Sequence, residues 1–197
     1  MVAVRKPAEP LLSVEDFLDW PGDGTDTRYQ LVAGEPQAMA PASEVHGTIQ
    51  ANAAFLLKSH LRSGRSGCRV VTEAPVAPRL SSDMDLRVPD LAVTCTPSVP
   101  ESRIVQAPIL IIEILSPSNE RETRANVYAC ATIPSVREIL LLRSTRVGAE
   151  LFRRQADGAW PAEALAVDPG DAVTLESIGF HGRLLDFYDG THLVQSA

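Results

Sequence analysis

The sequence predicts an α/β domain in which a mixed β-sheet is flanked by helices and carries additional β-hairpins. Three observations predict it. The apolar run at residues 109–115 reads as a central strand. A polar helical stretch and a second apolar run at 136–142 follow it, giving strand, helix and strand in one right-handed crossover. Turn signals at Gly34 and at Ser144, Thr145 and Arg146 split other segments into hairpins. A crossover makes its two strands parallel and a hairpin makes them antiparallel, so the sheet is mixed.

With 197 residues, 45% of them hydrophobic, the chain is long enough for one well-buried domain. That domain is expected at 13–190, between a flexible N-terminal tail at 1–12 and a C-terminal tail at 191–197. Ser13 and Asp16 form a capping box for a short helix at 14–20, stopped by Pro21 and Gly22. Segments 28–33 and 35–39 flank Gly34 as a tight hairpin. Ser43 caps a long helix at 44–61, in which Ile49, Ala53, Leu56 and Leu57 recur at helical spacing. Gly64 and Gly67 end it.

Strands are then expected at 68–72, 74–80, 84–87 and 91–95, before the central strand. Asn119 is placed to cap the next helix, running to about 131, with Glu122 in the fourth position of a capping box. Segments 136–142 and 147–153 pair as a hairpin. The remainder is turn-rich, with short strands and one short helix near 183–188. There is no internal repeat.

Composition narrows the function. A net charge of −7 repels polyanions, so any nucleic-acid site needs a local basic patch or a bound metal. Arginine outnumbers lysine sixteen to two, and no lysine follows Lys58. The odd, widely spaced cysteines Cys68, Cys95 and Cys130 lie in apolar or helical stretches and read as buried thiols of a reducing cytoplasm rather than disulfide or zinc ligands. No stretch approaches the ~20 apolar residues of a membrane span, which makes a soluble, cytoplasmic protein without membrane partners the expectation.

The chemistry concentrates on two acids. Glu113 sits in the middle of the apolar run, and a buried carboxylate is costly unless a cation or a set of donors holds it. Asp90, after Pro89, opens another apolar strand and shares a face with the small residues Ala92 and Thr94, which leaves room for a ligand. Two carboxylates at adjacent strand ends point to a divalent metal. The plainer readings are a turn aspartate and a structural ion pair of Glu113 with Arg87 or Arg137.

These residues also carry a family resemblance. The order Tyr29-x-Leu-Val-x-Gly-Glu35, Ala40-Pro-Ala-Ser followed by His46, Val88-Pro-Asp90-Leu, Glu113-Ile-Leu-Ser-Pro-Ser118 and Ile133-Pro-Ser-Val-x-Glu138 resembles the Uma-type putative restriction endonuclease family, over nearly the whole chain. That family is similar in fold to the PD-(D/E)xK nucleases, which implies a restriction-endonuclease-like sheet of four or five mixed strands between helices. The resemblance implies magnesium or manganese held by Asp90, Glu113 and the backbone carbonyl of Ile114. It implies nucleic acid as partner, DNA ahead of RNA, and a homodimer.

The resemblance also exposes departures. Leu115 stands where the nuclease lysine would, Asn126 where many relatives have a displaced lysine, and Gln30 where relatives commonly have glutamate. Arg124 could offset phosphate charge in place of lysine but cannot take a proton from water. Gln30 could orient water, or be an outward-facing strand residue. His46 matches a recurring family histidine but reads more simply as a surface residue at a helix start, and Glu73 could join a metal shell through water. Arg121, Arg124 and Arg137 could form the local positive patch, and Lys58 could reach the site from the long helix. Three functions follow: a metal-dependent nuclease slowed by loss of the lysine, a degenerate nuclease fold that only binds nucleic acid or protein, and hydrolysis of a small phosphorylated molecule.

Overall fold

The computed structural model describes residues 11–64, 66–81 and 83–196. Capping and turn chemistry organise its N-terminal part. Helix α1 (Val14–Asp19) starts at Ser13, whose hydroxyl accepts from the Asp16 N–H at 3.1 Å while the Ser13 N–H donates to Asp16 Oδ2 at 3.2 Å. Strands β1 (Tyr29–Val32) and β2 (Glu35–Ala38) pair through a two-residue turn in which Ala33 and Gly34 both have positive φ, +50° and +84°. This is the mirror-image turn whose twist suits a hairpin. Helix α2 (Glu44–Ser63) begins at Ser43, whose hydroxyl accepts from the His46 N–H at 3.2 Å.

The main sheet has six strands, one or two more than the resemblance implies. They are β3 (Arg69–Thr72), β4 (Leu91–Thr94), β5 (Pro108–Leu115), β6 (Glu138–Arg143), β7 (Ala149–Arg153) and β8 (Leu165–Val167), side by side in that order. Helix α3 (Glu120–Ala131) makes the crossover from β5 to β6, and that pair alone among these is parallel. Strands β9 (Ala172–Leu175) and β10 (Phe180–Arg183) form a separate hairpin, followed by a 3-10 helix at Leu184–Tyr188.

Alternation along β5 divides the core. Leu110, Ile112 and Ile114 pack with Ile49, Ala53 and Leu57 of α2, whereas Ile111 packs with Ile139, Leu141 and the α3 residues Val127 and Cys130. Glu113, two residues after Ile111, therefore lies on the α3 face.

Several expectations are corrected. Segment 74–80 is not a strand: Pro75 and Pro78 lack the N–H a ladder needs, and only Val76 bridges Arg87. Within 84–87 only Leu86 and Arg87 make isolated bridges. Asn119 does not cap α3; its Oδ1 instead accepts from Ser116 N at 3.2 Å and Ser116 Oγ at 2.6 Å, closing the turn after β5. Cys68 and Cys95, which extend the β3–β4 register by one pair, form a disulfide, and Cys95 is exposed; only Cys130 is the buried free thiol expected. At the C-terminus, His192–Ser196 forms a 3-10 helix with Leu193 buried, where a tail was expected. Of the N-terminal tail, residues 1–10 lie outside the described residues, and Leu12 N donates to Gly34 O at 2.8 Å. No helix among the described residues is long and apolar enough to cross a membrane.

Candidate functional site

The register of β4 on β5 builds the centre of the site. Leu91 pairs with Ile112, so one step further the ladder sets Asp90 opposite Glu113. Like charges directly opposite across a sheet are unfavourable, and these two are nearly buried. A second step would set Pro89 opposite Ile114, and proline has no N–H to continue the ladder. The Ile114 N–H donates instead to Asp90 Oδ2 at 2.6 Å, and the Asp90 N–H lies 3.4 Å from Glu113 Oε2. The C=O of a strand residue points to the same side as its N–H, so the Ile114 carbonyl is also on the side the ladder has left open.

This point is the floor of a cavity of about 650 Å³, walled by the β2–α2 connection, the start of α2, and the turn between β5 and α3. Glu113 is 5% exposed and its Oε1 has no hydrogen-bond partner. Burial and then the neighbouring Asp90 push its carboxyl well above the usual carboxylate range. Asp90 is held from the other side: His46 Nε2 is 2.8 Å from its Oδ1, and Gln50 Nε2 donates to its backbone oxygen at 3.1 Å. His46 is therefore buried on the acid rather than a surface residue at a helix start.

The donor set fits a hard divalent cation. Two opposed acids, an orphaned carboxylate oxygen and a carbonyl left out of its ladder are all oxygen donors. No group of three or more His, Cys, Asp or Glu gathers as a metal cluster among the described residues. Two carboxylates with water and substrate oxygens are the usual way magnesium is held.

The other sequence candidates separate. Asn126 lines the cavity beside Glu113. Its Oδ1 accepts from Arg87 Nη1 at 3.1 Å, and Arg87 Nη2 donates to Asp85 Oδ1 at 2.9 Å. Arg87 is thus the partner of Asp85, and neither it nor Arg137 forms an ion pair with Glu113. Gln30 also lines the cavity, 6% exposed and with Oε1 unpartnered, so it is not an outward-facing strand residue. Leu115 is buried in the sheet.

Arg124 is not brought to the cavity; it reaches Glu120 at 3.0 Å and Glu150 at 3.0 Å on the far side of α3. Arg121, Arg137 and Lys58 do not line the cavity either, so the expected positive patch is not assembled there. Among the described residues the guanidinium in the wall is that of Arg28, which is not among the candidates named from sequence although it directly precedes the Tyr29 motif. It pairs with Glu73, whose carboxyl it holds below the usual range. Glu73 is at the rim in a positive-φ conformation, +50°.

Geometry and motif order agree with one family. Residues 14–184 match the family described as Uma2, putative restriction endonuclease. The chain belongs to the Uma2 family. Within reach of it is the uncharacterized protein slr1290 of Synechocystis sp., 29% identical over 183 residues, a match that covers 92% of this chain and 93% of that protein. Among solved structures, a putative nuclease belonging to DUF820 from Anabaena variabilis superposes with a TM-score of 0.73 at 20% identity, over 90% of this chain and 97% of that one. At that identity the likeness establishes a common fold. The Uma2 match is what extends it to a family of nuclease type.

Proposed function

We propose that this Uma2 protein hydrolyses phosphodiester bonds of nucleic acid, DNA ahead of RNA, with magnesium or manganese held by Asp90, Glu113 and the carbonyl of Ile114. The observation that carries the reading is the buried, opposed acid pair with Glu113 Oε1 unpartnered at the floor of an open cavity. When bound, such an ion lowers the pKa of water and offsets charge on phosphate. His46 and the Ile114 N–H hold Asp90 by its two oxygens, so its carboxylate presents a fixed geometry. Gln30 Oε1 is an acceptor free to orient water. Leu115 and Asn126 stand at the two lysine positions of the family, and neither an amide nor a guanidinium replaces lysine in taking a proton, so turnover is expected to be slow.

The test is incubation of the purified protein with DNA and RNA in magnesium or manganese. Cleavage that disappears in Asp90→Ala and Glu113→Ala proteins supports the reading; no cleavage, or cleavage unchanged by both substitutions, overturns it. Leu115 and Asn126 at the two lysine positions favour a second reading, a binding module that has lost catalysis. Calorimetric titration with manganese divides this reading: a relic with a merely structural acid pair takes up no ion at Asp90 and Glu113. We further propose a homodimer, the state that the family resemblance implies, in which two active sites would cut both strands of a duplex in one encounter; sedimentation equilibrium of the full chain tests it.

A further inference from the structure

We propose that Asn126 is a donor-only contact for a phosphate oxygen in the cavity, and that Arg87, anchored by Asp85, is the positioning residue that turns it that way. The inference rests on the phosphodiester reading but not on catalysis. A side-chain amide has one acceptor end and one donor end, and a guanidinium can only donate. Arg87 Nη1 lies 3.1 Å from the amide oxygen of Asn126, so the acceptor end is committed to Arg87 and the NH₂ end faces away from it. Asn126 lines the cavity, as does Glu113, and is 8% exposed, so its free NH₂ end is available to a ligand in the cavity.

The lock is built of groups that are costly to bury. Arg87 is 5% exposed and Asp85 2% exposed, and their ion pair, 2.9 Å, is fixed again by the Ala33 N–H, which donates to Asp85 at 3.1 Å. A buried ion pair is weak evidence for stability, and specifying one orientation of a neighbour is a use that suits it. Such a donor offsets the acids of the wall: Glu73, Asp90, Glu113 and Glu122 line it, and Arg28 is already paired with Glu73. An amide presenting oxygen there would add repulsion to a phosphate, whereas one presenting N–H supplies the hydrogen bond that the displaced lysine would have made.

The probe is a short fluorescent DNA duplex titrated with the full chain in calcium, by anisotropy, with manganese affinity measured in parallel by calorimetry. Asn126→Asp, which keeps the shape and turns the donor into an acceptor, is expected to weaken the duplex by about ten- to hundredfold. Manganese affinity should not fall in that variant. Arg87→Gln should weaken the duplex as Asn126→Ala does, and the double variant should be no worse than either alone. Arg87→Lys, which keeps a donor and a charge, should restore part of the affinity and stands in if Arg87→Gln does not fold. Unchanged duplex affinity in Asn126→Asp, or additive losses in the double variant, overturns the inference while leaving Asp90 and Glu113 as the metal site. Absence of duplex binding by the unsubstituted chain overturns both, and is recognised because Asp90→Ala then changes nothing.

Discussion

Glu113 is placed where the fold gains nothing from it unless an ion arrives. Its Oε1 is unpartnered and it faces Asp90 across the end of a ladder, so in a divalent-free buffer at neutral pH Glu113→Gln should raise stability by about 1–3 kcal/mol by removing an acid that must either bury its charge or take up a proton on folding. With manganese at about a hundred times its dissociation constant, the unsubstituted chain gains about 2.7 kcal/mol and the variant nothing, so the order of melting temperatures should converge or invert. Thermal denaturation with and without manganese checks it; a variant less stable in both buffers contradicts the role given to the acid. His46→Ala should lower manganese affinity about ten- to hundredfold by releasing Asp90 Oδ1, read by the same calorimetry. Asp90 and Glu113 could be read from sequence because a carboxylate stands out in an apolar strand and proline marks where that strand begins. His46 is marked only by the family resemblance, and neither its burial on Asp90 nor the place of Arg28 can be read, because contact between the first turn of α2, the edge of the β1–β2 hairpin and the start of β4 is a product of tertiary packing that leaves no periodic trace.

The elements were legible where backbone chemistry is local. The Ser13 box, the Ser43 cap and the Ala33–Gly34 turn are decided by neighbours in sequence, and all three stand in the structure. Segment 74–80 reads as a strand by its run of apolar residues, while Pro75 and Pro78 remove the donors that would pair it. Asn119 was misread because its side chain found a nearer pair of donors in Ser116. The hairpin turn is itself improvable: alanine is strained at φ +50°, and Ala33→Asn or Ala33→Gly should stabilise by about 0.5–1 kcal/mol. Gly34→Ala should do the opposite, since its φ is +84° and a Cβ there would meet Leu11 Cβ at 2.8 Å. The disulfide of Cys68 with Cys95 was missed because pairing depends on β3 and β4 lying in register, and it closes a loop of sequence separation 27. Reduction or Cys68→Ser with Cys95→Ser should cost roughly 3.5 kcal/mol by chain entropy, measured by urea denaturation with and without reductant.

At the scale of the whole molecule, the long strand β5 lies inside an open six-stranded sheet, and the segment after β10 is packed into the core that α2 shares with the sheet rather than trailing free. Tyr188 makes that connection: it is fully buried, and its hydroxyl donates to Gly148 O at 2.8 Å, just before β7. The sequence could not show this, because an aromatic residue near a chain end reads the same whether it is docked or solvated. Burial pushes the Tyr188 phenol up to about 12, against about 10 for an unfolded tyrosine. An acid whose folded pKa is raised stabilises the fold in its neutral form; that contribution is complete below pH ~10 and is lost as pH rises through the folded value. Two pH units correspond to about 2–3 kcal/mol, so the unsubstituted chain should lose that much stability between pH ~10 and ~12 on account of this residue. Tyr188→Phe should be less stable at neutral pH by about 1 kcal/mol, for the lost hydrogen bond to Gly148, yet show a flatter alkaline arm. Urea denaturation of both proteins across pH 8 to about 12 separates these effects. Parallel alkaline arms would mean that the C-terminal segment opens before the phenol ionises, and that the docking through Tyr188 is not part of the cooperative unit.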